Sequence, residues 1–516
     1  MLDFDQLRTP ADHGDTLVEP DPSVMARMAQ SNQATLRESD LTLAGVGLRE
    51  YRRELRSRLG LEERARLAVT GHQPEFIHPG VWAKHVVACR LASAVSGQAV
   101  NLVVDSDAPR DFTLEVPGVD DGAVRVRRIR FADVPTGTIY EDVPAADAQS
   151  VDRLRAAVAA AMGDRYRRSL MPDFLEALDP AAAPRDWTDQ MVFARQVVEA
   201  KLGVRMVDHR ISKVWFGPLV AEIIANAHRF AACYNGALGE YRRANRVRGN
   251  QRPIPDLRVD GPRCEVAAWV HDDSGRRRRL YTERVGDRVR LLADAEPIGE
   301  TSADSLQRWD RAEACLRGLN GFGFRPRALT LTLWARLCLA DLFVHGIGGA
   351  KYDRITDCLI HGYFGITPPG MACVSATLRL DLPRRDVTEQ DVRRGEHRLR
   401  DLRYNPQKHV DCNGRCASLV AARAEAVNEA QRLAVEAPSD RPARRQAFEA
   451  IRCASARILE AQPEVMAAYE SAVERDRRWL AERRVASRRD YFFALFRAED
   501  LQLLLDRLPA SERFRV

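Results

Sequence analysis

The chain has 516 residues and a mass of 58.0 kDa, enough for two to four domains at about 100–200 residues each. Apolar residues make up 45% and charged residues 29%, with a formal net charge of +6. That surplus is small and interleaved with acids, which speaks against a nucleic-acid partner. No apolar run approaches the roughly 18 residues of a membrane span. The acidic start MLDFDQLRTPADHGDT lacks the apolar segment of a signal peptide. The ten cysteines, at scattered spacings, then read as reduced thiols of a cytoplasmic protein.

Only five bases are lysine: Lys84, Lys201, Lys213, Lys351 and Lys408. A lysine that serves only as a solvated charge is replaceable by arginine. A compact ammonium that clamps phosphate or loses its proton is not. Lys84 and Lys351 fall inside glycine- and histidine-rich segments.

In chain order, residues 1–60 predict an N-terminal helical arm, with Leu41 to Leu59 as its amphipathic helix. A strand from Ala65 to Thr70, a helix from Gly80 to about Ser96 and a strand at Asn101–Val104 make one β-α-β unit, hence a parallel sheet. Gly97 stands where a helix-terminating glycine belongs. Helical periodicity covers Val151–Met162, Asp189–Leu202 and Val214–Arg246. The period then changes at Glu265–His271, Arg279–Glu283 and Arg288–Leu292, around Asp-Asp-Ser-Gly and Gly-Asp turns, which predicts a three-stranded antiparallel meander. A second α/β stretch runs from Leu329 to Ala376. Glycine almost vanishes after Asp386. Long helical segments at Cys416–Val435 and Arg444–Val485, interrupted by Pro438 and Pro442, predict a helical hairpin of coiled-coil type and a homodimer through it. The aromatic run Tyr491–Phe496 reads as a core anchor. The expected class is α/β: a Rossmann-like parallel sheet over 61–385, with a helical and meander insertion at about 150–300, and a helical domain over 386–516.

Three segments carry candidate chemistry. The first is Gly71-His72-Gln73-Pro74 through His78-Pro79-Gly80-Val81-Trp82-Ala83-Lys84-His85, at the carboxyl end of the first strand, where open α/β sheets bind ligands. Gly71 admits close backbone approach. The helix start after His78 offers N–H groups to an anion. His72 and His78 suit acid/base work, the alternative being that they cap the turn. His85 fits packing. The second is Asp105-Ser106-Asp107, whose carboxylates could hold a ribose, an amine or a metal ion, or simply a solvated turn. The third is His345-Gly346-Ile347-Gly348-Gly349-Ala350-Lys351-Tyr352, a glycine-rich phosphate cradle or a structural turn; it matches neither Gly-x-x-x-x-Gly-Lys-Ser/Thr nor Gly-x-Gly-x-x-Gly. His409, Cys412 and Cys416 are spaced too loosely for zinc, so no metal is assigned.

These segments resemble the BshC-type cysteine ligases of bacillithiol biosynthesis. That family has a strand ending in Gly-Gln-Gln-x-Gly before a Gly-Pro-Leu helix start with a lysine. Gly71-His72-Gln73-Pro74 and Pro79-Gly80-Val81-Trp82-Ala83-Lys84 look similar. Asp105-Ser106-Asp107 stands at the family's acidic Glu-Asp-His-Asp cluster. Gly346–Tyr352, Pro368-Pro369 and Ser375-Ala376-Thr377 resemble its late motif in order and spacing. His72 replaces a glutamine, the cluster lacks its histidine, and His345 and Lys351 depart from the family's residues. The resemblance implies a core similar to HIGH-type nucleotidylyl transferases, ATP or another nucleotide as cosubstrate, and ligation of a cysteine-like amine to a small acceptor. His72, His78, Asp105 and Asp107 would be catalytic. Gly71, Gln73, Gly80, Trp82, Lys84, His345, Gly346, Gly348, Gly349, Lys351 and Tyr352 would bind substrate or nucleotide. The competing reading is a non-catalytic nucleotide-binding or scaffold protein.

Overall fold

The computed structural model describes residues 6–109, 111–132, 134–135, 137–179, 186–249, 254–271, 277–317, 323–410 and 416–515. The chain divides into two compact units: Met1–Val116 with Arg127–Leu380 and Arg489–Val516, and Pro117–Val126 with Asp381–Arg488.

The first unit begins with strand β1 (Thr16–Glu19) and helices α1 (Pro22–Glu38) and α2 (Leu48–Arg58). β2 (Leu67–His72), α3 (Pro79–Ala94) and β3 (Gln98–Val103) follow as the expected β-α-β unit. Then come α4 (Ala148–Met162), α5 (Trp187–Lys201), β4 (Val207–Arg210), α6 (Gly217–Ala225) and α7 (Ala227–Ala244). The meander strands are β5 (Arg263–His271), β6 (Arg277–Val285), β7 (Arg288–Ala293), β8 (Glu296–Ser302) and β9 (Gly323–Pro326). β10 (Leu342–His345), α8 (Ile347–Leu359) and β11 (Met371–Ala376) complete the α/β body.

The principal sheet has the order β1-β11-β10-β2-β3-β4. The last five are mutually parallel, and β1 closes one edge antiparallel to β11, with Glu19 opposite Cys373. The chain builds outward from β2 to β3 and β4, then returns to lay β10 and β11 on the other side. The order therefore reverses between β2 and β10, the place where a doubly wound sheet leaves a crevice at its carboxyl edge. β11 is buried throughout, and β2 and β3 nearly so, as strands covered on both faces must be. Thr70 Oγ1 donates to Val344 O at 2.8 Å and ties the ends of β2 and β10 together. The second sheet is antiparallel, in the order β8-β7-β6-β5-β9, with the short strand Val259–Asp260 also paired to β5, so the expected three-stranded meander gains three strands. The Asp-Asp-Ser-Gly turn lies outside the described residues.

Residues 6–60 are not a separate helical arm. β1 is part of the principal sheet, and Asn32 of α1 donates to Asp341 O and Gly370 O, both at 2.8 Å. Residues 489–516 also leave the expected C-terminal domain and fold into the first unit. Their aromatic run is core: Phe493 stacks on Trp82 with ring centroids 5.7 Å apart, and Phe492 meets Phe76 edge-on at 5.1 Å. The second unit is helical over Asp381–Arg488, with α9 (Glu389–Tyr404), α10 (Ala417–Glu436), α11 (Arg441–Ala461) and α12 (Pro463–Ser487), while its Pro117–Val126 segment is the end of a β-hairpin.

Gly97 is required for a different reason than helix termination. The left-handed residue after α3 is Ser96, with φ +50°, whereas a Cβ on Gly97 would stand 2.0 Å from Arg66 O. Gly97→Ala is therefore expected to destabilise the protein by about 1–3 kcal/mol, as overpacking against fixed backbone does. Ser96→Gly, by relieving the left-handed position, should hold or raise stability. Urea denaturation of the two variants checks this.

Candidate functional site

The carboxyl ends of β2 and β10 are where the first and third segments meet. Lys84, on the second turn of α3, is 5% exposed. Its Nζ donates to Gly71 O at 3.0 Å, and among the described residues no carboxylate pairs with it. Burial pushes its ammonium down to about 8, opposed only by Cys373. Lys84 Cδ lies 4.0 Å from where a Cβ on Gly346 would be, which sets the start of α8 against this lysine. Cys373 sits opposite His345 in the β10–β11 register. Burial raises its thiol to about 12 against the pull of the Lys84 and Lys351 ammoniums. The thiol there stays protonated.

His345 to Tyr352 is not a loop. Gly346 is the N-cap of α8, and Gly348 and Gly349 form its exposed first turn. No side chain caps this helix. Its first internal bond is Ala350 N–H to Gly346 O, 2.9 Å, so the N–H groups of Ile347, Gly348 and Gly349 have no partner among the described residues. His345 is buried, and its Nε2 stands 2.9 Å from Asp353 Oδ2. A carboxylate only accepts, so Nε2 carries a proton, and Nδ1 is the ring nitrogen turned away from Asp353. A Cβ on Gly349 would stand 2.7 Å from that Nδ1, so only glycine leaves room for the ring. Burial pushes the Asp353 carboxyl up, but the Arg336 guanidinium, 2.7 Å away, and His345 outweigh it and hold it well below the usual carboxylate range. The result is an anchored imidazole beside an open helix N-terminus.

His72 is the last residue of β2. Its Nδ1 lies 3.1 Å from Gln73 O; a carbonyl only accepts, which leaves Nε2 as the basic nitrogen. Burial and the Lys84 charge depress its pKa to about 3, so the ring is neutral at pH 7. Gln73 Nε2 donates to Asp107 at 3.2 Å, which joins the first and second segments. Asp107 is also paired with Arg277 at 2.8 Å.

Four expected site residues belong to the framework instead. His78 caps α3: its Nδ1 accepts from Gly80 N–H at 3.0 Å. Val81 and Trp82 N–H both reach His78 O, and Pro79 has no N–H, so this helix start holds no donor for an anion. A Cβ on Gly80 would stand 2.6 Å from Ala376 O, and Arg489 Nη1 donates to that oxygen at 2.8 Å. Gly80 is therefore demanded by packing, not by a ligand. Asp105 is wholly engaged: Ser212 N–H at 2.8 Å and Arg210 Nε at 2.7 Å share its oxygens with the Ser212 hydroxyl. Trp82 is fully buried under Phe493. Gly71 is packed as well, since a Cβ there would meet Leu102 O at 3.0 Å, though its carbonyl holds Lys84. Tyr352 is exposed and meets Tyr241 at 5.9 Å. His85 pairs with Glu199 at 2.6 Å in the interior.

No protein-family model and no curated protein matches the chain. The site therefore rests on its own geometry. His409 has both nitrogens engaged, with Asp401 Oδ2 at 2.8 Å and the Tyr469 hydroxyl at 3.2 Å. Cys412 lies outside the described residues. Among the described residues no cluster could hold a metal ion, and no helix is long and apolar enough to cross a membrane.

Glu75, Tyr140 and Trp187 are not among the expected site residues, yet they border His72 in a cavity. Only Glu75 lies within a motif; the others come from distant stretches with no local signature.

The depressed histidines carry a pH signature. His72 and His78 titrate at about 3 and about 4 in the folded chain, against about 6.5 unfolded. Between those values the unfolded state binds more protons, so stability is full above pH 6.5 and is lost as pH falls toward 4. The melting temperature should drop between pH 7 and pH 5. The drop should shrink in a His72→Gln, His78→Asn double variant, because asparagine caps without titrating.

Proposed function

We propose that the protein is a nucleotide-dependent ligase that joins an amine to an activated carboxylate or phosphate, of the kind the BshC resemblance implies. The observation that carries this reading is the uncapped N-terminus of α8 beside the buried, carboxylate-free Lys84, at the point where the strand order reverses. Such a helix start presents aligned N–H groups and a positive dipole end to phosphate. Lys84 adds a point charge with little water to displace. The parallel order supports a Rossmann-like identity, in which nucleotides lie at this edge. The α10–α11 pair supports the coiled-coil reading of the second unit.

In this reading α8 takes the phosphate role first ascribed to α3. A substrate carboxylate oxygen attacks a nucleotide phosphorus, and ADP or pyrophosphate leaves. The amine nitrogen then attacks the acyl carbon, gives up a proton, and phosphate or AMP leaves. Lys84, Lys351 and the α8 N–H groups stabilise the charge that develops on the phosphoryl oxygens. His345, oriented by Asp353, offers Nδ1 to the proton released beside α8. That His78 and Asp105 serve the framework favours a second reading, a nucleotide-binding protein without turnover.

Calorimetric titration of the full chain with ATP and the other nucleoside triphosphates is the test. Binding together with amine-dependent release of phosphate or pyrophosphate supports the ligase. Binding without release leaves the second reading. If no nucleotide binds at millimolar concentration, both fall.

A further inference from the structure

Beside His72, on the β3 side of the crevice, lies a cavity of about 470 Å³. Its walls include Phe76, Phe112, Tyr140 and Trp187, with His72, Gln73, Glu75, Asp111 and Thr113 among its polar members. The aromatic rings brace one another edge to face: Phe112 stands 6.0 Å from Tyr140 and 5.7 Å from Trp187, and Phe76 stands 6.5 Å from Trp187. The wall is therefore formed before any ligand arrives. Its volume lies within the ordinary range for small-molecule sites.

The polar groups have unused capacity. Glu75 accepts from the Tyr140 hydroxyl at 2.6 Å, and among the described residues no basic side chain pairs with it. Burial and the Glu75 charge hold the Tyr140 phenol far above its usual range, so it remains a donor. The cavity's other carboxylate, Asp111, is neutralised by Arg128 at 2.6 Å. Trp187 is 2% exposed, and its indole N–H has no acceptor among the described residues. A buried donor left unpaired costs about 1–3 kcal/mol. His72 adds the lone pair of its neutral Nε2.

We propose that this cavity binds an organic ammonium carrying an aromatic or large apolar group, with Glu75 receiving the ammonium. An unbalanced carboxylate at the rim of an aromatic box selects for positive charge, since ring faces attract cations and Glu75 attracts them more strongly. The apolar part of the ligand lies against Phe76, Phe112 and Trp187. The inference rests on the ligase reading only in making this ammonium the acceptor amine; the binding itself needs no nucleotide.

The test is a nucleotide-free titration of the full chain with three probes: 2-phenylethylamine, 3-phenylpropionate and methylammonium. The amine should bind at least about tenfold more tightly than either of the others, since a charged hydrogen bond alone is worth about 1.5–3 kcal/mol. Glu75→Gln, at an exposed position, should lose at least that factor. Trp187→Phe should abolish the fluorescence change on binding. Equal affinity for the amine and the carboxylate would overturn the proposal, as would an unchanged Glu75→Gln or displacement of the amine by adenosine, which would make the cavity a nucleobase site. If the amine fails to bind while nucleotide binds, this inference falls and the ligase reading stands. If the amine binds and no nucleotide does, the reverse holds.

Discussion

Asp341→Ala is expected to lower the unfolding free energy by about 3–5 kcal/mol, the range for removing one member of a buried ion pair. Asp341 directly precedes β10 at the amino edge of the sheet. Arg52 and Arg56 bind its carboxylate at 2.6 and 2.9 Å, and all three side chains are at most 4% exposed. Leu67 N–H and Gln33 also reach it, at 2.9 and 3.3 Å, so one carboxylate joins α1, α2, β2 and β10. Burial and the neighbouring Arg56 already hold Arg52 down at about 10. Without the carboxylate, two guanidiniums remain together in a site closed to water. Asp341→Asn preserves shape but not charge and should lose a similar amount. Urea denaturation measures both. Losses below 1 kcal/mol would mean that the pair relaxes into solvent.

Lys84→Met should do the opposite: leave stability unchanged or raised, and remove nucleotide binding. An ammonium this deeply buried, with one carbonyl partner and no counter-ion among the described residues, opposes folding, and methionine fills its volume without that cost. The affinity lost should be about 10–100-fold, the worth of a charge-assisted hydrogen bond of about 1.5–3 kcal/mol. The pH dependence has a definite sign. Lys84 titrates at about 8 when folded and at about 10.4 unfolded. Between these values the unfolded state holds more protons, so wild-type stability gains on that of Lys84→Met as pH rises through the window. Anion affinity runs the other way and weakens above about pH 8 as the charge is lost. A variant that loses both stability and binding would make Lys84 a structural residue.

The local parts of this architecture were readable in the chain. Apolar runs, proline and glycine mark β2, α3 and β3 within a few residues, because each depends on neighbours in sequence. β1 was not readable: it has four residues, and it becomes a strand only by pairing with β11 at the far end of the chain. The same distinction runs through the site. Lys84 and the α8 glycines were legible from composition and spacing. The role of His78 depended on which nitrogen faces Gly80, a matter of rotamer rather than residue type. Asp105 looked available because its partners, Arg210 and Ser212, lie more than 100 positions away. Tyr140 and Glu75, 65 residues apart, have no joint signature in the sequence.

The most direct test of the central claim is a crystal structure of the full chain with a non-hydrolysable ATP analogue. Phosphate oxygens should lie within hydrogen-bonding distance of the Ile347, Gly348 and Gly349 N–H groups and of Lys84 Nζ, with the His78 cap on α3 intact. Phosphates seated at the start of α3 after displacement of His78, or bound outside the β2–β10 crevice, would contradict it.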